Sequence, residues 1–350
     1  VGRGGGARIA IMKIWATADF RMPYRQVGGY ARRAEALGFD GIKVADQVSD
    51  GFLNAAAALG ATSRIAVCAP ALVAFARSPM IVAIAAWDLR GAFGERFELG
   101  LGPQVRGNII RRYSGHWVPP APRMREYVNS LRVIFDCWQN GTPLHFEGQH
   151  YSFTRMQEFI KPQPIEHPDM PIIVAGIGPL MTAVAGEVGD ALATHPTNVA
   201  PRFIRDRVLP NLARGAARAG RSLSDVELRI NCLSATGVDE QAVRRSREQL
   251  RATMAMLFST PSYWPILELY GWQDRGAHLN RLVREGRWQD LPPAVTDEML
   301  DVLIPTAPYG EIADVLRERY AGLADNVSFA LPDDPALDAE VARVIERLHG

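Results

Sequence analysis

Two side chains stand where a protein of parallel strands would do its chemistry: Asp46 ends the run GIKVAD, and His195 ends the run ALATH. The other run ends are poor in acids and bases: Trp15-Ala16-Thr17, Gln47 after Asp46, Pro70-Ala71-Leu72, Gly102-Pro103-Gln104, Gly176-Ile177-Gly178-Pro179, Ala235-Thr236 and Leu331-Pro332. A metal-dependent hydrolase needs several His, Asp or Glu side chains converging on one ion. Two do not suffice, so no metal is expected. His145 and His150 in HFEGQHYSF lack an evident third ligand. Sites this sparse usually lend their chemistry to a bound organic cofactor, and no side chain stands out as catalytic.

Several of these residues carry two readings. AGIGP at 175–179 ends a run and opens a helix. Its glycines allow backbone to approach an anion, and free N–H groups at a helix start favour phosphate; the same spacing also makes a plain tight turn. Gly100-Leu101-Gly102 could face a ligand or relieve crowding at a strand end. His195 is either a hydrogen-bonded structural residue or a contact to cofactor phosphate or substrate. Arg106, Arg111 and Arg112 form a solvated loop face or capture an anionic tail. Trp15 walls a substrate pocket or fills the core.

The elements that must position these residues alternate. Short apolar runs at 11–16, 41–45, 65–73, 97–102, 171–175, 191–195, 227–236 and 326–331 read as strands. Amphipathic stretches at 23–37, 52–60, 79–90, 123–139, 179–188, 201–219, 239–258 and 311–320 read as helices. Proline at helix starts and Gly38 after the first helix support these limits. Strand–helix alternation predicts a parallel sheet. Eight such units predict a closed (β/α)8 TIM barrel, with the site at the C-terminal ends of its strands. Residues 142–170 read as a hairpin insertion, 261–305 as an irregular excursion carrying Tyr263, Trp264 and Trp272, and 11–350 as one domain. Gly4-Gly5-Gly6 predicts a mobile end at 1–10.

Bulk properties exclude other classes. The 350 residues suit one large barrel, and 47% hydrophobic content is enough for a sizeable core. Lys and Arg number 39 against 38 Asp and Glu, so bulk charge points to no nucleic-acid partner. The longest apolar run, 65–76, is too short to cross a membrane. Three scattered cysteines and no apolar leader segment are expected of a cytoplasmic protein.

The motifs GFDGIKVAD, ARSP and AAWDLRGAFGERFELGLGPQ resemble, in order, elements of the bacterial-luciferase-like monooxygenase superfamily. RMREYVNSLRVIFDCW, PIIVAGIGPLMTAVAGEVGDAL and APYGEIADVLRERY continue the resemblance from about residue 11 to residue 331. GLGPQVRGNIIRRYSGHW and STPSYWPILELYGW resemble its actinobacterial branch, which uses coenzyme F-420, a deazaflavin. The resemblance implies an oxidoreductase moving hydride between that deazaflavin and a small organic substrate. An FMN-dependent monooxygenase supplied by a separate reductase, and a barrel that binds a ligand without turnover, are the alternatives. A homodimer or higher homo-oligomer is implied as well.

The resemblance also implies roles. Asp46 matches an acidic residue near the cofactor ring. Pro70 and Ala71 match a non-prolyl cis peptide that bulges against the ring, with Leu72 following. Gly176, Ile177 and Gly178 match the phosphate-holding turn. Gly102 and Gln104 fall where relatives contact the ring edge or ribityl chain. His195 joins this cofactor set, and Trp15, Thr17 and Gln47 are expected along the substrate pocket. The chain departs from the pattern at three places. Gln47 stands where many deazaflavin enzymes have His, Val105 where the sugar-phosphate dehydrogenases have a Glu proton donor, and Pro308-Tyr309-Gly310 where T-P-E is commoner.

Overall fold

Eight short runs rich in branched and small apolar residues, each followed by a helix-forming stretch, pair side by side as parallel strands in a computed structural model that describes residues 12–350. The expected mobile end at 1–10 lies outside the described residues. The strands are β1 (Lys13–Thr17), β2 (Gly41–Lys43), β3 (Ala66–Cys68), β4 (Phe97–Gly102), β5 (Ile172–Ala175), β6 (Ala191–Ala193), β7 (Glu227–Ile230) and β8 (Asn326–Phe329). β1 pairs with both β2 and β8, and β3 pairs with β4. These pairings close the sheet into a (β/α)8 barrel.

Alternate residues point inward. Trp15, Cys68, Ile173, Ala191 and Ala193 form an inner cluster separate from the larger core between sheet and helices. The ring of helices comprises α1 (Tyr24–Ala36), α2 (Gly51–Gly60), α3 (Pro79–Phe93), α4 (Pro120–Asn140), α5 (Pro179–Val188), α6 (Leu209–Arg218), α7 (Glu240–Phe258) and α8 (Ile312–Tyr320). Asp50 caps α2 and Ser78 caps α3.

The placement of α5 rests on two glycines. A Cβ at Gly186 would lie 2.1 Å from the Leu212 carbonyl oxygen, and one at Gly215 would lie 1.8 Å from that of Ala183. Only glycine lets α5 and α6 approach so closely. The stretch before α6 is a π-helical turn, Ile204–Val208. Pro210 follows and has no N–H to return to the carbonyl of residue 206, so the regular ladder cannot run through it.

The third strand departs from the expected 65–73. It stops at Cys68, the Pro70–Ala71 peptide is cis, and a two-residue strand, Leu72–Val73, resumes pairing with Leu101 and Gly102. The seventh ends at Ile230 rather than running to 236, although Ala235 still bridges Thr306 of the excursion. A last helix, α9 (Asp338–His349), buries Val341, Val344, Ile345 and Leu348. Within 142–170, Phe146–Glu147 pairs antiparallel with Ser152–Phe153.

Candidate functional site at the barrel mouth

The loops after β2 and β3 are tied together by one carboxylate. Asp46 is buried, and its Oδ1 accepts from the Gly51 N–H (2.9 Å) and its Oδ2 from the Val73 N–H (2.8 Å). The Arg77 guanidinium grips both oxygens, at 2.7 and 2.9 Å, and also holds Asp50 at 2.7 Å. A two-pronged guanidinium–carboxylate pair fixes geometry as well as charge. Asp46 therefore sets the shape of the 70–73 bulge from behind.

In front, β4 makes room for the bulge. A Cβ at Gly100 would lie 2.8 Å from the Pro70 Cα, and one at Gly102 would lie 2.5 Å from the Ala71 Cβ. Both positions therefore need glycine if the bulge is to stay where it is. Leu72 is buried beneath it, against the start of α2. Gln104 has a positive φ of 61°, and its Oε1 accepts from the Val105 N–H (2.9 Å) and the Asn108 amide (3.2 Å). Its side chain holds the short helix Arg106–Arg111 in place.

β5 ends in the 176–178 turn, which opens α5. No side chain caps this helix, and Gly178 has φ −84° and ψ 163°. Among the described residues the N–H groups of Ile177, Gly178, Leu180 and Met181 have no acceptor, while the Thr182 N–H returns to the Gly178 carbonyl. A Cβ at Gly178 would meet nothing within 4 Å. The result is an open cradle of N–H donors at the positive end of a ten-residue helix. The Asn198 amide holds the Ile177 carbonyl at 3.0 Å and ties the turn to the segment after β6.

His195 opens that segment. Its Nδ1 lies 2.9 Å from Thr197 Oγ1 and caps the Thr197 N–H at 3.4 Å. Burial pushes its pKa down to about 4, so the ring is neutral at physiological pH. Tyr263, from the excursion, stacks on it at 4.3 Å with the planes 15° apart. The excursion thereby reaches over the barrel mouth.

Below the mouth lies a polar floor that the sequence reading did not single out. Lys43 Nζ donates to Asn231 Oδ1, and to Ser328 Oγ at 2.7 Å. Asn231 in turn donates to the Thr194 carbonyl at 2.6 Å. One layer away, Arg229 pairs with Glu98 and, at 2.8 Å, with Glu227. Its guanidinium lies 5.3 Å from the Trp15 ring centroid.

Among the expected site residues, the structure brings the bulge (Pro70, Ala71, Leu72) against Gly102, with Asp46 behind it. It links Gly176, Ile177 and Gly178 to His195 through Asn198. Thr17 and Gln47 are exposed, and the Gln47 carbonyl accepts from Arg112. Trp15 fills the barrel interior, where a Cβ on Gly41 would lie 2.4 Å from its ring. Arg77 and Lys43 were the residues missed. A lysine ending a strand that should be apolar on both faces was the available signal for Lys43. Arg77 carried none beyond its place in ARSP. No group of three His, Cys, Asp or Glu side chains converges as metal ligands among the described residues. None of the described helices is long and apolar enough to cross a membrane.

Comparison with known proteins fits this geometry. The family profile for luciferase-like monooxygenases matches residues 8–326. The chain is 39% identical over 293 residues to the uncharacterised protein Rv1360 of Mycobacterium tuberculosis, across 84% of this chain and 86% of that one. It is 29% identical over 177 residues to the F420-dependent glucose-6-phosphate dehydrogenase of Nocardia farcinica, about half of each chain (49% and 50%). The barrel superposes on the coenzyme F420-dependent tetrahydromethanopterin reductase of Methanopyrus kandleri with a TM-score of 0.80, at 19% identity, over 97% of this chain and 98% of the other. A profile match over most of the chain, joined to this barrel and its mouth, establishes that the chain belongs to the luciferase-like monooxygenase family and is an oxidoreductase.

Proposed function

We propose that the barrel mouth holds a deazaflavin, coenzyme F-420, and that the protein passes hydride between it and a small organic substrate. The observation that carries this reading is the N–H cradle at 177–181, uncapped and open in front, on the same rim as a bulge that β4 glycines accommodate. The donor set suits a phosphodiester: four backbone N–H groups and a helix dipole, with none of the four paired to a backbone acceptor among the described residues. The bulge would back one face of the ring and leave the other to substrate. Relatives bearing F420-dependent names favour deazaflavin over FMN.

When bound, the deazaflavin supplies hydride chemistry at a ring carbon, where a flavin would have nitrogen and could activate oxygen. The chain's own residues bind and orient. Ile177, Gly178, Leu180 and Met181 would hold the phosphate. Neutral His195 would present its Nε2 to the ligand, with Tyr263 fixing the ring plane. Asp46 and Arg77 would keep the bulge in position. Exposed Leu53 on α2 and Ile81 and Ile84 on α3 support assembly as a homo-oligomer, which sedimentation would check.

Thermal melts of purified protein with F-420, with FMN and with neither test the reading. A rise in Tm with F-420 alone is the expected result. A rise with FMN alone would favour a monooxygenase fed by a separate reductase and would overturn the deazaflavin assignment.

A further inference from the structure

The chain uses lysine sparingly. Of its 39 lysine and arginine residues, three are lysine: Lys13, Lys43 and Lys161. Lys13 is exposed and Lys161 partly so, whereas Lys43 is 4% exposed, inside the barrel. Arginine keeps its charge at every accessible pH, and lysine can lose it when buried. Lys43, inside the barrel near the end of its strand, thus carries a base that can titrate.

Its surroundings favour that loss. Among the described residues no carboxylate lies within ion-pair distance of Lys43. Glu98, the interior acid, is taken by Arg229. Around the amine stand Arg229, Asn231 and Cys232 from β7 and its extension, Cys68 from β3, Glu98 from β4 and Ser328 from β8. Burial first, then the like charge of Arg229, push its pKa down to about 7. Both protonation states can be satisfied. As ammonium, Nζ donates to Asn231 Oδ1 and Ser328 Oγ, and the Ser328 hydroxyl donates to Asn231 Oδ1 at 3.1 Å. As neutral amine, Nζ accepts from Ser328 and still donates to Asn231. Through the Asn231 amide and the Thr194 carbonyl, the floor joins the segment bearing His195.

We propose that Lys43 is a proton store beneath the barrel mouth, which takes one proton from solvent when an anionic ligand head group settles above it and returns it when that charge leaves. This rests on the deazaflavin reading above, since it requires the mouth to hold an anion. The proton adds to the Nζ lone pair, no other bond changes, and the positive charge gained offsets the ligand's negative one. An oxidoreductase whose strand-end carboxylate is held by Arg77 and whose strand-end imidazole is neutral gains from this floor a way to exchange charge without moving a loop. A unit charge about 10 Å away at an effective dielectric of about 20 would raise the midpoint of the amine by roughly one pH unit.

With three lysines, selective isotope labelling of the lysine side chains gives three resonances, and Lys43→Met assigns one. In the free protein the Lys43 resonance should titrate near 7. Saturation with F-420, followed independently by its fluorescence, should move the Lys43 midpoint up by about one unit. Calorimetry at pH 7.5 in buffers of different ionisation enthalpy should show uptake of about half a proton on binding, absent in Lys43→Met. A Lys43 midpoint near 10, or one that stays put while fluorescence reports bound cofactor, overturns the proposal and leaves the deazaflavin reading standing. Fluorescence that reports no binding sinks that reading, and the proton store with it. Should Lys43→Met fail to fold, resonance assignment through Lys13 and Lys161 variants lets the wild-type titration decide.

Discussion

Asp46 shows how a residue of the right type at the right strand end can act through others. Both its oxygens are occupied, by the Arg77 fork and by the Gly51 and Val73 N–H groups. Asp46→Asn would keep the size but lose the charge, and would leave Arg77 facing an amide. Partial retention of Arg77 by Asp50 limits the damage, so a loss of about 2–4 kcal/mol is expected in urea unfolding. A change under about 0.5 kcal/mol would mean that the pair does not fix the bulge. Gly178 behaves oppositely. Its backbone is extended and open in front, as a capping residue's would be. Gly178→Asp should supply the missing cap and stabilise the ligand-free protein by up to about 1 kcal/mol. The absence of a cap is thus a feature of the cradle. The residue types at 46 and 176–178 were legible in the sequence. The Arg77 grip, 31 residues from its partner, was not, because nothing local marks such a pairing.

At the scale of elements, apolar periodicity located all eight strands, and β4 matched residue for residue. The break in the third strand was invisible to periodicity, because Ala69, Pro70 and Ala71 continue an apolar run. Only the resemblance pointed to it. α9 lies beyond the eight strand–helix units, where the pattern of a barrel calls for no further element, although Val341, Val344, Ile345 and Leu348 repeat at helical spacing. The bulge gives the sharpest element-level test. The Ala71 methyl faces Gly102 at the end of β4, and Ala71 is only partly buried. Ala71→Trp should leave the far-ultraviolet circular dichroism of the barrel intact while blocking the cofactor. Unchanged affinity in the folded variant would place the cofactor elsewhere.

For the molecule as a whole, interior charge makes stability depend on pH in two windows. Lys43 has a folded pKa of about 7, against about 10.4 in the unfolded chain. Between those values the unfolded chain binds more protons, so stability should rise with pH from 7 to 9, by up to about 1.4 kcal/mol per unit. His195, at about 4 against about 6.5 unfolded, should make stability fall as pH drops from 6.5 to 4. Urea midpoints across both windows, compared with Lys43→Met and His195→Gln, check the two slopes. A wild-type profile parallel to that of each variant would contradict the burial of the corresponding neutral base. The central claim is that the 177–181 cradle anchors a deazaflavin phosphate. Fluorescence titration of F-420 against the wild-type protein and Gly178→Asp addresses it most directly. The account predicts binding to the wild type and at least about a 100-fold loss in the variant, whose carboxylate occupies the N–H groups and repels the anion. Equal affinity in the two proteins would contradict it.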